Sequence, residues 1–247
     1  MGIRKNIFSF SAKIAPRTLL RVAQRVRGQP ADRLPRGSVR FGDLGRLSPI
    51  AADFGCERGK PIDRYYIEKF LSQHAGDIQG RVLEAEDNHY TVQFGNARVR
   101  RSDVLSIDRT NQFATIVGDL AQSSTLPAEA FDCIILTQVL QYVYDLKAAI
   151  VTLHRALKPG GILLLTVPAV TPLPQNSWPW YWAFSAVALR RLLEDQFGKG
   201  TALIENHGNV FIATAFLFGL ASAEVTDLQY DYQDPNFPII VSARVVK

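Results

Sequence analysis

Phe131-Asp132-Cys133-Ile134-Ile135-Leu136, a helical pattern from Leu146 to Leu157, the break Lys158-Pro159-Gly160-Gly161, and then Ile162 to Val167 form the stretch that decides the fold. Two continuous apolar runs of strand length, separated by one helix, predict parallel strands joined by a helical crossover and buried on both faces. Proline cannot donate the N–H that a further helical turn requires, so Pro159 marks where the helix must stop. Pro168 ends the second strand in the same way.

The same rhythm extends in both directions. Towards the N-terminus, Arg81-Val82-Leu83-Glu84-Ala85 predicts a short buried strand, Val104 to Ile107 a second ending at Asp108, and Ala114 to Val117 a third ending at Gly118-Asp119. Towards the C-terminus, Ala186 to Phe197 predicts a helix closed by Gly198, and Thr201–Glu205 and Ile239–Val246 two final strands. Pro61 suits the first position of a helix running to about His74, with Tyr65, Ile67, Phe70 and Leu71 as its apolar face. The whole predicts an α/β domain with helices on both faces of a mostly parallel sheet.

In such a sheet, ligands sit beyond the carboxyl ends of the strands. Polar residues that terminate successive apolar strands are therefore the informative ones: Glu84, Asp108, Asp119 and Thr137-Gln138. Four in order define a polar rim suited to an adenosine-sized ligand. An acid after the second strand can accept both ribose hydroxyls, and Asp119 can accept an adenine amino group.

Read together, Ile116-Val117-Gly118-Asp119-Leu120, Leu126-Pro127, Phe131 to Leu136 and Leu157-Lys158-Pro159-Gly160-Gly161 resemble the core of class I S-adenosylmethionine (SAM) dependent methyltransferases. In particular the chain resembles bacterial methyltransferase-domain proteins associated with polysaccharide or natural-product clusters, over roughly residues 60–247. That resemblance implies a Rossmann-like, seven-stranded, mostly parallel sheet with an antiparallel last strand, and SAM as cofactor over the first two strands. By position it implies cofactor binding by Glu84, Ala85, Glu86, Asp108, Asp119, Leu120 and Gln138, with Asp103 the competing ribose acid if the second strand stops early.

The chain departs from the family in two places. The first loop of the family carries a Gly-x-Gly pattern, where backbone approaches the methionyl part of SAM. Here Ala85-Glu86-Asp87-Asn88-His89-Tyr90 follows, with no glycine before Gly95. Glu84, Glu86 and Asp87 crowd the region, so Glu86 must turn to solvent or meet the sulfonium and ammonium charges. All three tryptophans fall in Ser177-Trp178-Pro179-Trp180-Tyr181-Trp182-Ala183-Phe184, within an insert over 171–185. Related sequences read more like Trp-x-Asp-Tyr-Trp-Arg-Phe-Thr, so Trp180 and Ala183 stand in place of an acid and a base. The insert predicts either an aromatic lid over the site mouth or a plug holding the N-terminal segment on the body.

For the acceptor, His207 in Asn206-His207-Gly208-Asn209 is a candidate base for O-methylation, and Tyr142 and Tyr181 candidates to orient it. The expected reaction is O-methylation of a saccharide or secondary-metabolite hydroxyl, on a small-molecule or glycan acceptor. The alternative is a catalytically silent methyltransferase-like scaffold that binds a partner enzyme.

Charge is unevenly placed. The net charge is +5, yet residues 1–46 hold eleven Lys/Arg against Asp32 and Asp43, a balance of +9 that leaves −4 for the remainder. The basic character thus belongs to an arm and linker over 1–37 and not to the domain over 38–247, which argues against nucleic acid as a partner. Residues 7–27 follow a basic amphipathic helix pattern, suited to a membrane surface or partner contact through residues 1–27, or to packing with a solvated basic face. Two cysteines give no metal spacing, and Cys133 in its apolar run reads as a small buried hydrophobe. These features predict a cytoplasmic, possibly membrane-peripheral protein without a metal.

Overall fold

The computed structural model describes residues 34, 36–174 and 178–247. The predicted amphipathic arm over 1–27 and three residues of the aromatic insert, 175–177, lie outside them. The chain divides between Ser48 and Pro49 into two units, where the sequence suggests a boundary after Gly37. The described part of the first unit is coil with one 3-10 turn, Gly42–Gly45, and exposes Phe41 and Leu47.

The second unit is built on seven strands: β1 (Gly80–Ala85), β2 (Val99–Ser106), β3 (Ile116–Val117), β4 (Phe131–Thr137), β5 (Leu157–Pro168), β6 (Ala202–His207) and β7 (Ile240–Val246). Their order is β3-β2-β1-β4-β5-β7-β6. β7 runs antiparallel to both of its neighbours, and all other pairings are parallel. The helices are α1 (Asp63–Gln73), α2 (Leu146–Ala156), α3 (Ala186–Phe197), α4 (Val210–Leu217) and α5 (Asp227–Asp231).

Alternation along the central strands divides the core in two, because successive strand side chains point to opposite faces. Leu83, Ile134, Leu136, Leu163 and Leu165 pack with Ile150 and Leu153 of α2 and Leu189 and Leu193 of α3. Val82, Cys133, Ile135 and Leu164 pack on the other face with Ile67, Phe70 and Leu71 of α1 and Ile212 and Phe216 of α4. Cys133 is fully buried on β4, and burial pushes its thiol far up from the ordinary range. It is the small hydrophobe its neighbours in sequence suggested.

Three elements differ from expectation. α2 ends at Ala156 and the chain turns directly into β5, so Lys158-Pro159-Gly160-Gly161 falls within the strand, where Gly160 takes φ of 77°. Phe131 pairs with Leu157 and Cys133 with Ile162, so the register shift between these pairs absorbs the extra residues. β2 begins at Val99, earlier than its apolar run, because its first half is a partly exposed, arginine-bearing extension. α4 falls within the apolar stretch beginning at Val210, and Asn209 caps it by accepting the Ile212 N–H at 3.0 Å. Among the described residues, no helix is long and apolar enough to cross a membrane.

The β1–β2 pair is locked by Asp103, whose side chain is 1% exposed. Its carboxylate receives Arg81 Nε at 2.7 Å and Arg101 at 3.0 Å. Burial raises the pKa of this group, but Arg81 and then Arg101 outweigh it, and the net shift is downward. Asp103 is thereby fixed within the sheet and is not a ribose ligand. A folded pKa below the unfolded one gives stability that is present above the unfolded value of about 3.9 and is lost as pH falls through the folded value. Asp103→Asn is expected to lower unfolding free energy by about 2 kcal/mol at pH 7. The difference from wild type in urea melts should shrink as the pH is taken below that range. Equal midpoints at pH 7 would show that the pair does not hold the strands.

Candidate active site

A cavity of about 990 Å³ opens at the carboxyl ends of β1 to β4. Its wall includes Glu84, Ala85 and Glu86 after β1, Ser106 and Ile107 after β2, Gly118 to Ala121 after β3, and Thr137, Gln138 and Tyr142 after β4. Lys60, Arg64, Glu68, Asp87, His89, Tyr90, Asp145, Trp178 and Tyr181 are also among its lining residues.

The turn after β1 replaces the glycines of the family by another device. Glu84 is 2% exposed, and its two carboxylate oxygens accept the N–H groups of Tyr90 at 3.1 Å and Thr91 at 2.7 Å. These donors stand at the start of a short helical crossover, a π-helical turn over Thr91–Gly95 followed directly by a 3-10 turn over Asn96–Arg98. Burial pushes the Glu84 carboxyl up from its ordinary range against the pull of the Thr91 and Tyr90 donors. Two residues on, Glu86 takes φ of 70°. That left-handed conformation costs a non-glycine residue about 1–2 kcal/mol. It carries the Glu86 carboxylate to β2, where Oε2 accepts the Ser106 hydroxyl at 2.9 Å, and the Glu86 carbonyl accepts Asn111 Nδ2 at 2.7 Å. Asp87 accepts the His89 N–H at 2.8 Å. The three crowded carboxylates are thus each drawn to different donors.

Asp119 lines the cavity after β3, with one oxygen accepting the Ala121 N–H at 2.8 Å. Gly118 before it has no room for a side chain, since a Cβ there would lie 2.7 Å from Thr125 Cγ2. Gln138 turns the chain after β4 with φ of 55°, and its N–H bonds to Thr166 O at 2.9 Å. Fully buried Gln141 donates to Gln138 O at 2.8 Å, and its own carbonyl accepts the Tyr181 N–H at 2.8 Å. Backbone pairing therefore ties the aromatic segment to the β4 turn.

Within that segment the tryptophans separate by role. Trp178 and Tyr181 line the cavity. Trp180 stacks on Phe54 at 6.1 Å and meets Tyr142 edge-on at 5.0 Å, while Trp182 Nε1 donates to Val143 O at 3.0 Å. Trp178, Pro179 and Tyr181 thus line the cavity, while Trp180 and Trp182 anchor the segment. Tyr142 lines the cavity as well, and burial raises its pKa, which keeps its hydroxyl protonated.

Two sequence candidates stand elsewhere. Asp108 is exposed and lies outside the cavity wall. Its Oδ1 accepts both the N–H and the hydroxyl of Thr110, at 2.8 and 2.7 Å, which draws its pKa down. His207 lies at the end of β6, at the opposite edge of the sheet from β2 and β3, and lines a separate cavity of about 540 Å³. Its Nε2 is 2.7 Å from Ser242 Oγ, its ring stacks on Tyr66, and burial lowers its pKa. The expectation that His207 serves the acceptor is corrected by this placement. Glu84, Ala85, Glu86, Asp119, Leu120, Gln138, Tyr142 and Tyr181 do meet in one cavity.

The sequence reading passed over Ser106 and the cations Lys60 and Arg64. Arg64 and Glu68 stand four residues apart on α1, a spacing that marks one helix face, and Lys60 lies just before the helix. The polar set suits an adenosyl cofactor: at the ends of β1 and β2 the Glu86 carboxylate presents an acceptor held in place by the Ser106 hydroxyl, and Asp119 presents an acceptor beside the apolar Leu120. Among the described residues, no group of His, Cys, Asp or Glu is arranged to hold a metal ion.

Comparison with known proteins agrees with this geometry. Residues 53–165 match the family described as "Methyltransferase domain". The chain is 31% identical over 127 residues to the ubiquinone/menaquinone biosynthesis C-methyltransferase UbiE of Enterobacter sp. (strain 638), a match covering 50% of this chain and 46% of that protein. The chain therefore spans about half the length of that relative. The crystal structure of a SAM-dependent methyltransferase from Archaeoglobus fulgidus superposes with a TM-score of 0.52 at 14% identity, over 74% of this chain and 94% of the other. With its strand order and its antiparallel β7, the chain shares the fold of that SAM-dependent methyltransferase, and its residues 53–165 are similar to the methyltransferase-domain family.

Proposed function

We propose that this chain transfers the methyl group of SAM to a small-molecule acceptor held between the β4 turn and the segment 178–184. The observation that carries this reading is that acceptor and donor groups from three consecutive strand ends share one cavity with Tyr142, Trp178 and Tyr181. Glu86 and Ser106 would hold the ribose hydroxyls, in the role the resemblance gives to Asp108. Asp119, Leu120 and Ala121 would receive the adenine, and Ala85 and Gln138 shape the floor. Bound SAM supplies an electrophilic methyl group on a sulfonium.

The chain contributes orientation and exclusion of water, since an in-line displacement gains most from correct alignment of the reacting atoms. Acidic groups on the cavity wall favour a cationic ligand over its neutral product, which helps release after transfer. Trp178 and Tyr181 cover the acceptor, and the protonated Tyr142 hydroxyl donates to an acceptor oxygen. Ring faces of this kind stack on sugars and on planar metabolites, which supports a saccharide or secondary-metabolite hydroxyl as the methylated group. The likeness to a protein named as a C-methyltransferase favours a second reading in which carbon receives the methyl group.

Calorimetry with S-adenosylhomocysteine tests the cofactor assignment directly. Wild-type protein is expected to bind, and Asp119→Asn and Glu86→Gln are each expected to weaken binding by about tenfold. Asp108→Asn should stay within about twofold of wild type, because its carboxylate is occupied by Thr110. His207→Ala should likewise leave the affinity within about twofold, being lodged at the far sheet edge. Absence of heat at millimolar ligand would replace the enzyme reading with that of a silent scaffold.

A further inference from the structure

A hydroxyl taken out of water is costly unless it finds a hydrogen bond, and buried phenols in this protein mostly find one. Tyr66 donates to Tyr230 O at 3.1 Å, and Tyr230 donates to Ser222 Oγ at 3.1 Å. Tyr90 is different. It is only 9% exposed, yet its hydroxyl has no hydrogen-bond partner among the described residues. The side-chain atoms that are fully enclosed without a partner belong to other residues, so the Tyr90 oxygen opens to the cavity that this residue lines. The rest of Tyr90 is fixed. Its N–H is bonded to Glu84 Oε1 at 3.1 Å, and its ring meets His89 edge-on at 5.4 Å and stacks on Phe94 at 6.1 Å.

A second phenol comes from the β4 turn. Tyr142 lines the same cavity, and its hydroxyl likewise donates to no described residue. Asp63 and Arg64 act on both phenols, which sets the two around one corner of the cavity. Burial pushes Tyr90 up to about 12 and raises Tyr142 as well, so both hydroxyls keep their protons at neutral pH. They are donors without charge. Carboxylates on the surrounding wall, Glu86, Asp119 and Asp145 among them, repel an anion but leave a neutral oxygen unopposed. Trp178 and Tyr181 add ring faces on which a planar molecule stacks.

We propose that Tyr90 and Tyr142 together donate to a neutral oxygen of the methyl acceptor, a carbonyl or hydroxyl on a planar, largely apolar molecule. Tyr90 is thereby a residue that selects the acceptor. This deepens the methyltransferase reading and rests on it for the identity of the molecule that is held.

The test uses para-dimethylaminoacetophenone, a neutral ketone whose absorption moves to the red when its oxygen accepts hydrogen bonds. Its control, para-isopropenyl-N,N-dimethylaniline, has a methylene group in place of the carbonyl oxygen and nearly the same shape. Both are titrated into wild type, Tyr90→Phe and Tyr142→Phe, with and without saturating S-adenosylhomocysteine, whose own affinity is measured by calorimetry. Wild type should bind the ketone about tenfold or more tightly than the alkene. Tyr90→Phe and Tyr142→Phe should each weaken the ketone by about fivefold or more, with absorption less far to the red in the complex. The alkene and S-adenosylhomocysteine should bind Tyr90→Phe within about twofold of wild type, which also certifies its fold.

The proposal is overturned if wild type binds the ketone no better than the alkene, or if Tyr90→Phe binds the ketone as wild type does. It is overturned as well if Tyr90→Phe weakens S-adenosylhomocysteine instead of the ketone, which would place Tyr90 at the cofactor. If wild type does not bind S-adenosylhomocysteine, the methyltransferase reading falls, and preference for ketone over alkene alone decides whether the phenols receive a neutral oxygen.

Discussion

A buried carboxylate that accepts two peptide N–H groups is the constraint on which the site depends. Glu84 ends the central strand β1 and captures Tyr90 and Thr91, so the chain closes into a short helical crossover where it leaves the sheet. A buried carboxylate is costly unless it is hydrogen-bonded, and peptide groups deprived of a partner are costly too. Each thus answers the other's need. The closure fixes the path of Ala85 and Glu86, and it brings Glu86 against Ser106 on the neighbouring strand. Positive φ at Glu86 and at Gln138 places strained backbone after β1 and β4, beside the same cavity. Strain of this kind persists where surrounding contacts over-determine the conformation.

The polarity of the cavity follows from that closure. The turn after β1 adds the side-chain oxygens of Glu86 and Asp87 to its wall, and further donors come from other elements. Arg64 on α1 supplies charge, the phenols of Tyr90 and Tyr142 supply hydroxyls, and the aromatic segment supplies apolar cover. The strand ends contribute carboxylates, and the wall formed by Lys60 and α1 contributes both cations together with Glu68. A zwitterionic or amphipathic ligand meets complementary groups in such a space, whereas a polyanion meets mostly repulsion.

The architecture was legible because its signal is redundant. Each of the seven strands overlaps an apolar run, and α3 falls where its pattern of leucines and its glycine stop indicated. Periodicity was silent at α4, whose apolar residues surround the helix and show no preferred face. It was also silent at α5, which is only five residues long. Of the strand-end residues, Glu84, Asp119 and Gln138 line one cavity, whereas Asp108 lies outside its wall. Asp108-Arg109-Thr110 carries a short-range signal of its own, since an aspartate readily accepts from a backbone N–H two residues on. Glu86 could not be placed from sequence, because a left-handed glutamate has no local signature. His207 was misplaced for a topological reason: strand order sets β6 at the edge remote from β1, and polarity at a strand end carries no information about order.

The central claim is that a nucleoside lies across the ends of β1, β2 and β3, gripped by side chains where the family uses glycine-rich backbone. A crystal structure of the protein grown with S-adenosylhomocysteine measures this most directly. The account predicts ribose oxygens within hydrogen-bond distance of Glu86 or Ser106, and the adenine beside Asp119 and Leu120, with Glu84 still bonded to Tyr90 and Thr91. A nucleoside bound at another place, or a cavity closed by the chain's own side chains at saturating ligand, would contradict it.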